Sequence, residues 1–281
     1  MTEPDEQVLA EGGVTHVVRV GDTVRRPVRP FTATIQSFLR HLWAQGIDFV
    51  PEPLGYDEQG REVLRFIPGD VPVEPLPGWA TTETVLAELA RLIRRLHDAA
   101  AGWAPPQDAV WGNIPGVPAV ELPALFESSE LVSHQDYCPG NVVFRDGLPQ
   151  AFIDFDLSRP TTRVADCVNA LYWWVPLLHP LDRPPSLTAA DAGHRARIFA
   201  DAYGMSSEQR AQVLPVAVLR ASNTHITMRA AAEVDPVFKR WWDEGVKERM
   251  PRAEAWLQAA GGAVEAALLG DAKLGVATTG D

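Results

Sequence analysis

The chain has 281 residues, 46% of them hydrophobic and 8% aromatic, so it can bury a sizeable core and a disordered chain is excluded. Its formal net charge of −12 argues against nucleic-acid binding, because phosphate backbones attract basic surfaces. No apolar run reaches the length of about 18 residues that a membrane-spanning helix needs. Two cysteines are too few for a disulfide framework or a zinc cluster. We therefore expect a cytoplasmic protein, a monomer or a homodimer, with no nucleic-acid or membrane partner.

Residues 1–67 have the pattern of short strands around one helix. The stretch Thr15–Arg26 shows alternating apolar residues around a Gly-Asp turn, which predicts a two-stranded hairpin. Apolar residues at helical spacing predict a helix over Thr32–Gln45. A further strand is predicted over Arg61–Ile67. A small antiparallel sheet is therefore expected in this part of the chain.

A proline-rich segment follows and is predicted to separate two domains, residues 1–67 and 68–281. Pro68-Gly69 breaks the preceding strand, and three more prolines occur before Gly78. Beyond it, helical patterns dominate, over Thr82–Ala101, Val164–Val175, Ala189–Tyr203, Glu208–Ala232, Val237–Glu248 and Arg252–Leu269. The predicted fold class is α+β, with a small sheet lobe followed by a mostly helical lobe.

The segment Leu131–Asp156 carries the most informative polar residues. Two apolar runs, Val142–Phe144 and Ala151–Ile153, flank an Asp-Gly turn and predict a β-hairpin. Symmetric pairing would place Asn141 opposite Asp154 at its open end, with Cβ atoms about 5 Å apart. An amide oxygen and a carboxylate in this position can share one Mg²⁺, which prefers oxygen ligands.

Asp136 lies five residues before Asn141, in the loop that leads into the hairpin. A carboxylate beside a metal–phosphate site can orient a substrate hydroxyl and accept its proton. The order His134, Asp136, Asn141 and then Asp154 matches the phosphoryl-transfer template, in which His-x-Asp-x-x-x-x-Asn precedes a metal-binding aspartate. Each part is a weak signal alone, and together they favour an enzyme that transfers phosphate.

This pattern resembles the aminoglycoside phosphotransferase and choline kinase superfamily, from about Leu9 to Tyr203 and most closely over residues 131–175. The residues that carry the resemblance are His134–Asn141, Ile153–Asp156, Asp166, Leu92–His97 and Asp201–Gly204. The resemblance implies a protein-kinase-like bilobal fold, with nucleotide bound to residues 1–67 and a catalytic, substrate-binding remainder. It implies ATP and Mg²⁺, with the γ-phosphate passing to a hydroxyl of a small molecule.

The resemblance also assigns roles by motif position. Asp136 is the expected catalytic base, and Asn141 and Asp154 are the expected Mg²⁺ ligands. Asp166 is expected to hold the catalytic loop by hydrogen bonds to its backbone, and His134 to brace that loop.

The nucleotide side departs from the family pattern. Kinases usually hold the nucleotide phosphates with a strand lysine paired to a helix glutamate. Residues 1–67 contain no lysine, and the predicted helix contains no acid, with Gln36 near the glutamate position. Because Arg25 and Arg26 point to opposite faces of their strand, only one can enter the cleft, and we favour Arg26.

The other nucleotide contacts are also predicted by position. The phosphate loop is expected at Gly12 and Gly13, and the adenine against the backbone of Arg65, Phe66 and Ile67.

The acidic second lobe favours a cationic acceptor, such as an aminoglycoside or an amino alcohol. The candidate acceptor-side residues are Glu233, Asp235, Asp243 and Glu244. A second hypothesis, prompted by the missing lysine and glutamate, is a catalytically inactive kinase-like protein that binds a nucleotide or a metabolite. Metal-assisted hydrolysis by the same acids ranks last, because the sequence shows no second cluster of His and carboxylate ligands.

Overall fold

The computed structural model describes residues 6–10, 16–112 and 122–270. Its first part is one antiparallel sheet of five strands, β1 (Glu6–Ala10), β2 (Val17–Val20), β3 (Thr23–Arg26), β4 (Pro53–Tyr56) and β5 (Glu62–Arg65). The strand order is β1-β2-β3-β5-β4, so β3 and β5 are neighbours although helix α1 (Thr32–Ala44) and β4 separate them in sequence. The predicted helix and hairpin are both confirmed.

The second part is mostly helical. Its helices are α2 (Glu83–Ala100), α3 (Arg163–Trp174), α4 (Ala192–Tyr203), α5 (Ser207–Val234), α6 (Pro236–Trp241) and α7 (Lys247–Leu269). Two short strand pairs lie between α2 and α3, β6 (Leu131–Ser133) with β9 (Arg159–Thr161), and β7 (Val142–Arg145) with β8 (Leu148–Phe152). The α+β, bilobal architecture is therefore the one predicted.

One helix prediction is wrong. A single helix was expected over Val237–Glu248, but a π-helical turn over Trp242–Val246 interrupts it. The cause is Gly245, whose φ of 121° is incompatible with a continuous α-helix. Helix α7 consequently begins at Lys247, before its expected start at Arg252.

The segment after β5 is attached directly to the β7–β8 hairpin. Asp70 and Phe144 exchange two backbone hydrogen bonds, of 2.9 and 2.7 Å. Gly69 permits this approach, because a Cβ atom there would lie 2.4 Å from the carbonyl oxygen of Phe144. The connection after the sheet is thus held against the hairpin that carries Asn141.

The hydrophobic core runs continuously under both hairpin strands and the central helices. Leu89 and Ile93 of α2, Phe144 of β7 and Phe152 of β8 are all fully buried within it. This packing gives the β7–β8 hairpin a rigid support. None of the described helices has the length and apolar character to cross a membrane.

Candidate active site

Asp136 lies in the loop between β6 and β7 and is partly accessible to solvent. Asn141 Nδ2 donates to the Asp136 carboxylate at 3.0 Å and to its backbone carbonyl at 3.1 Å. Burial raises the pKa of Asp136, and the nearby negative charge of Asp154 raises that pKa further. The three residues therefore lie together, and Asp136 is a stronger proton acceptor than an ordinary aspartate.

The structure corrects the strand pairing expected at this hairpin. The backbone carbonyl of Asn141 accepts from Ile153 N at 3.0 Å, so Asp154 lies one residue beyond the pair rather than opposite Asn141. The cause is the Asp-Gly turn, where positive φ at both residues makes a tight two-residue connection and sets a different register. An irregularity after Val143 then shifts the register once more.

Asp154 leaves β8 in an unusual backbone conformation. Its φ of 61° and ψ of 72° lie in the left-handed region, which few residues other than glycine adopt. Its side chain is 53% exposed and meets Arg26 Nη1 at 3.3 Å. Such strain persists only where the surroundings hold it, and it is concentrated at functional sites.

His134 is fully buried beneath the loop rather than facing its open side. Its Nδ1 accepts from the backbone N–H of Asp136 at 3.2 Å, and its Nε2 faces the carbonyl of Ile153 at 2.9 Å. This pattern is that of a neutral ring protonated on Nε2. His134 thus ties the loop to the residue before Asp154 and positions both carboxylates.

Asp166 lies fully buried under the same loop and holds it in place. It accepts from the Gln135 backbone N–H at 2.9 Å, from the Tyr137 hydroxyl at 2.6 Å and from the Gln135 side chain. His97 Nε2 lies 2.7 Å away, and Tyr203 OH lies 2.7 Å from the other ring nitrogen. Burial alone would raise the pKa of Asp166, but hydrogen bonds from His97 and Tyr137 hold it at about 2.

Arg26, at the end of β3, joins the sheet to the hairpin. Its Nε donates to Glu62 at 2.6 Å, and its Nη2 lies 2.7 Å from Asp156 Oδ1. A third contact joins Nη1 to Asp154, whereas Arg25 faces away and meets Asp57 at 3.4 Å. Burial by itself would lower the pKa of Arg26, but these three carboxylates raise it above its ordinary value.

Glu62 of β5 is the carboxylate partner of Arg26, a partner that the family pattern places on a helix. It is fully buried and lies opposite Arg26 in the β3–β5 ladder. Gln36 is buried elsewhere, donating to the Gly55 carbonyl at 3.1 Å and accepting from Arg40 at 2.7 Å. No local pattern pointed to Glu62, because its role depends on two strands that are distant in sequence.

The segment Arg65–Ile67 lies where the chain leaves the sheet. Its first two backbone N–H groups already donate to the carbonyls of Glu52 and Asp22, at 2.9 and 2.8 Å. The adenine contact predicted for this segment stays a prediction. The expected phosphate-loop residues Gly12 and Gly13 lie outside the described residues.

The side chains of Asn141 and Asp154 suit a hard divalent cation. Carboxylate and amide oxygens are the donors that Mg²⁺ prefers, and the Asp154 carboxylate is accessible. Across the described ranges, no group of three or more His, Cys, Asp or Glu side chains could hold a metal ion alone. Mg²⁺ is usually held by one or two protein oxygens together with substrate phosphates and water, so the donor set fits.

The acids expected on the acceptor side have local roles or are exposed. Asp235 caps α6 by accepting from Val237 N at 2.8 Å, and Asp243 pairs with Lys239 at 2.6 Å. Glu233 is exposed on α5. These contacts give no indication of a shared binding site.

Comparison with known proteins identifies the family. The model of the phosphotransferase enzyme family matches residues 116–199. The trifolitoxin immunity protein of Rhizobium leguminosarum bv. trifolii is 35% identical over 211 residues, which cover 73% of this chain and 77% of that protein.

Solved structures with similar folds come from small-molecule kinases. A choline/ethanolamine kinase family protein from Mesorhizobium loti superposes with a TM-score of 0.60 at 16% identity, covering 94% of this chain and 92% of that chain. Amicoumacin kinase, in complex with AMP-PNP, Ca²⁺ and Ami, also has a TM-score of 0.60, at 14% identity over 87% of this chain and 89% of that chain.

The fold is therefore that of the kinase-like small-molecule phosphotransferases. The chain belongs to the phosphotransferase enzyme family.

Proposed function

We propose that the protein transfers the γ-phosphate of ATP to a hydroxyl group of a small molecule. The observation that carries the proposal is the meeting of Arg26 from the sheet with Asp154 and the neighbouring Asp136 from the helical lobe. Phosphoryl transfer needs a cation that binds the phosphate oxygens, a carboxylate that binds the metal ion and a carboxylate that accepts the proton. Here the cation comes from one lobe and the two accessible carboxylates come from the other.

Arg26 is the proposed phosphate ligand in place of the absent lysine. Its guanidinium presents several N–H donors in one plane and can hold two phosphate oxygens at once. Glu62 keeps the guanidinium oriented from behind. ATP as donor is supported by the amicoumacin kinase structure, which contains the ATP analogue AMP-PNP.

Asn141 and Asp154 are the proposed ligands for Mg²⁺, which would neutralise phosphate charge as the reaction proceeds. Arg26 contacts Asp154 at 3.3 Å, so phosphate and metal would compete with this internal ion pair. Binding of Mg·ATP would replace it, since the guanidinium then has phosphate oxygens to bind.

Asp136 is the proposed base. As the acceptor oxygen forms its bond to the γ-phosphorus, the bond from phosphorus to the β–γ bridging oxygen breaks and its electron pair leaves with ADP. The hydroxyl proton passes to Asp136, whose raised pKa suits it to this task. Asp166 accepts from the backbone N–H of Gln135 and His134 from that of Asp136, so both act as positioning residues.

The test is Mg²⁺-dependent ADP formation with a panel of hydroxylated acceptors that includes aminoglycosides, amino alcohols and hydroxy acids. The Asp136→Asn variant should bind ATP as the wild type does but turn over about 10²–10⁴-fold more slowly. The asparagine side chain has nearly the same shape as aspartate but lacks the carboxylate, and its amide oxygen can keep the contact with Asn141. Equal turnover by this variant would remove Asp136 from the proposed role.

A catalytically inactive nucleotide-binding protein is the second candidate. The observation that favours it is the ion pair between Arg26 and Asp154, which occupies a phosphate ligand and a metal ligand at once. Tight Mg·ATP binding without phosphoryl transfer to any acceptor would support this function. Incorporation of ³²P from [γ-³²P]ATP into an acceptor would exclude it.

A further inference from the structure

The connection between α2 and β6 begins with an irregular segment, residues 103–112, which we call the strap. The strap lies against α1, the helix of the sheet lobe. The backbone N–H of Val110 donates to Thr34 Oγ1 of α1 at 2.9 Å, and Thr34 is buried. Trp103 packs against Phe38 of the same helix, with ring centroids 4.9 Å apart. A segment of the helical lobe is therefore attached to the helix of the other lobe.

The end of the strap meets the residues that follow Asp154. Gly112 is buried, and a Cβ atom on it would overlap the carbonyl oxygen of Asp156 and lie 2.9 Å from its carbonyl carbon. The φ of Gly112 lies outside the left-handed region, so glycine is needed here for the close approach and not for an unusual backbone conformation. No side chain larger than a hydrogen atom fits between the strap and the backbone of Asp156.

Aromatic packing continues this connection towards the catalytic loop. Phe38 of α1 packs against Phe155 at a centroid distance of 6.3 Å, and Phe155 packs against His134 at 4.4 Å. Phe38 and Phe155 are both fully buried. Phe155 directly follows Asp154, so its packing against α1 holds the backbone that carries this carboxylate.

The left-handed backbone conformation of Asp154 requires such support. A strained conformation persists only where the surrounding structure over-determines it. Packing against α1 and the close approach of the strap hold the next two residues, Phe155 and Asp156. The Asp154 side chain is 53% exposed, so little packing around the carboxylate fixes its position. Its place in the cleft therefore depends on the backbone behind it.

We propose that Gly112 and Thr34 are positioning residues for the metal ligand: the strap holds the backbone of residues 154–156 against α1 and so presents the Asp154 carboxylate to Mg²⁺. This inference rests on the proposed function for the role of Asp154. The phosphate-binding cation is held by the strand residue Glu62, which leaves α1 to support the metal side of the cleft.

Nucleotide binding with and without Mg²⁺ tests the proposal. The Kd of AMP-PNP is measured by isothermal titration calorimetry, once with saturating Mg²⁺ and once with EDTA. Gly112→Ala forces the strap and residues 154–156 apart. It should weaken binding of Mg·AMP-PNP by about ten- to a hundredfold, the usual effect of losing the support of a metal ligand. Binding in EDTA should match the wild type, because the contacts between the protein and the nucleotide itself are unchanged.

Gly102→Ala is the matched control, because Gly102 lies in the same connection and a Cβ atom on it would have open space around it. It should bind Mg·AMP-PNP as the wild type does. Thr34→Val removes the acceptor of the Val110 N–H and should weaken binding of Mg·AMP-PNP by about two- to tenfold. Thr34→Ser keeps the hydroxyl and should restore the wild-type affinity. Circular dichroism shows whether each variant is folded, and the two Thr34 variants decide the outcome if Gly112→Ala is not.

Unchanged binding of Mg·AMP-PNP in both Gly112→Ala and Thr34→Val would overturn the proposal. An equal loss of affinity with Mg²⁺ and with EDTA would overturn it as well, since the strap would then support the fold or the nucleotide rather than the metal ligand. A loss in Gly102→Ala as large as that in Gly112→Ala, or no recovery in Thr34→Ser, would have the same meaning. Absence of phosphoryl transfer by a wild type with the expected pattern of binding would contradict the proposed function alone.

Discussion

Arg26 and Glu62 face each other across β3 and β5, with the guanidinium Nε 2.6 Å from the carboxylate and both side chains buried. Kinases usually place the partner of the phosphate-binding cation on a helix, which can move relative to the sheet. Here the partner is a directly paired strand residue, so the guanidinium is fixed to the sheet itself. Its remaining nitrogens are directed at Asp154 and Asp156.

Replacing Arg26 should weaken nucleotide binding. Arg26→Ala removes the proposed phosphate ligand and should raise the Kd for Mg·ATP by tenfold or more, the effect of losing a charged hydrogen bond of about 1.5–3 kcal/mol. It also leaves Glu62 buried without a partner, which should lower the free energy of unfolding by about 3 kcal/mol. Calorimetry and urea denaturation measure the two effects.

Arg25→Ala is the matched control, since Arg25 precedes Arg26 on the same strand but pairs with Asp57. Its ATP affinity should match the wild type. A similar loss of affinity in both variants would show that general damage to the sheet, rather than a lost phosphate contact, explains the result.

Loss of His97 should slow turnover without changing nucleotide affinity. His97 lies 2.7 Å from Asp166, which holds the backbone on the N-terminal side of Asp136. His97→Phe removes this contact, so we expect kcat to fall by about tenfold or more through misplacement of the base, with the KM for ATP nearly unchanged. Steady-state kinetics give both constants.

His194→Phe provides the comparison for that variant, because His194 is an exposed helix histidine whose ring lies 2.9 Å from Glu83 on the protein surface. It should keep wild-type kinetics. If His97→Phe raised the KM for ATP by the same factor as it lowered kcat, a positioning role specific to the catalytic loop would be contradicted.

Asp154→Asn should raise the Mg²⁺ concentration needed for half-maximal activity by tenfold or more. An amide is a weaker ligand for a hard cation than a carboxylate. The measurement is a Mg²⁺ titration of ADP formation at saturating ATP. Asp146→Asn, in the exposed turn of the same hairpin, should titrate as the wild type does, and a shift in its titration equal to that of Asp154→Asn would argue against a ligand role.

Stability should depend on pH through Asp166. Its pKa is about 2 in the folded protein, below the ordinary 3.8, so it contributes stability that is fully present above pH 4. As the pH falls from 4 towards 2 this contribution, on the order of 2 kcal/mol, should be lost. Urea denaturation across this range should show a smaller pH dependence for Asp166→Asn than for the wild type.

The exposed Asp201, which pairs with Arg210, supplies the matched variant for that experiment. Asp201→Asn should retain the wild-type slope of unfolding free energy against pH. An unchanged slope in Asp166→Asn would mean that other carboxylates dominate acid unfolding.

Sequence patterns predicted the secondary structure well where local periodicity sets it. Helix α1, predicted over Thr32–Gln45, spans Thr32–Ala44 because its apolar stripe and the glycine after it are contained in one short segment. The hairpin register was one residue off, because it depends on the turn type and on a local irregularity that periodicity does not report. Gly245 likewise broke a helix that its neighbours favoured.

The candidate site likewise contains residues that a local motif predicts and residues that only the fold brings together. His134, Asp136 and Asn141 lie within eight residues, so a local motif was sufficient to bring them together. Glu62 and the link from His97 to Asp166 escaped notice, since each joins segments that only the folded chain makes neighbours. The cationic acceptor expected from total charge stays a prediction, because total charge does not report which charges line one cavity.

By itself the sequence determined the class of this protein. The order and spacing of a base, an amide and a carboxylate along one loop and hairpin are short-range properties, and they point to phosphoryl transfer before any folding is considered. Only the tertiary structure decided what surrounds them: strand order brought Glu62 to Arg26, and the packing of the helices brought His97 of α2 to Asp166 of α3. The physical reason is that such pairings follow from how the elements pack, which no short stretch of sequence specifies.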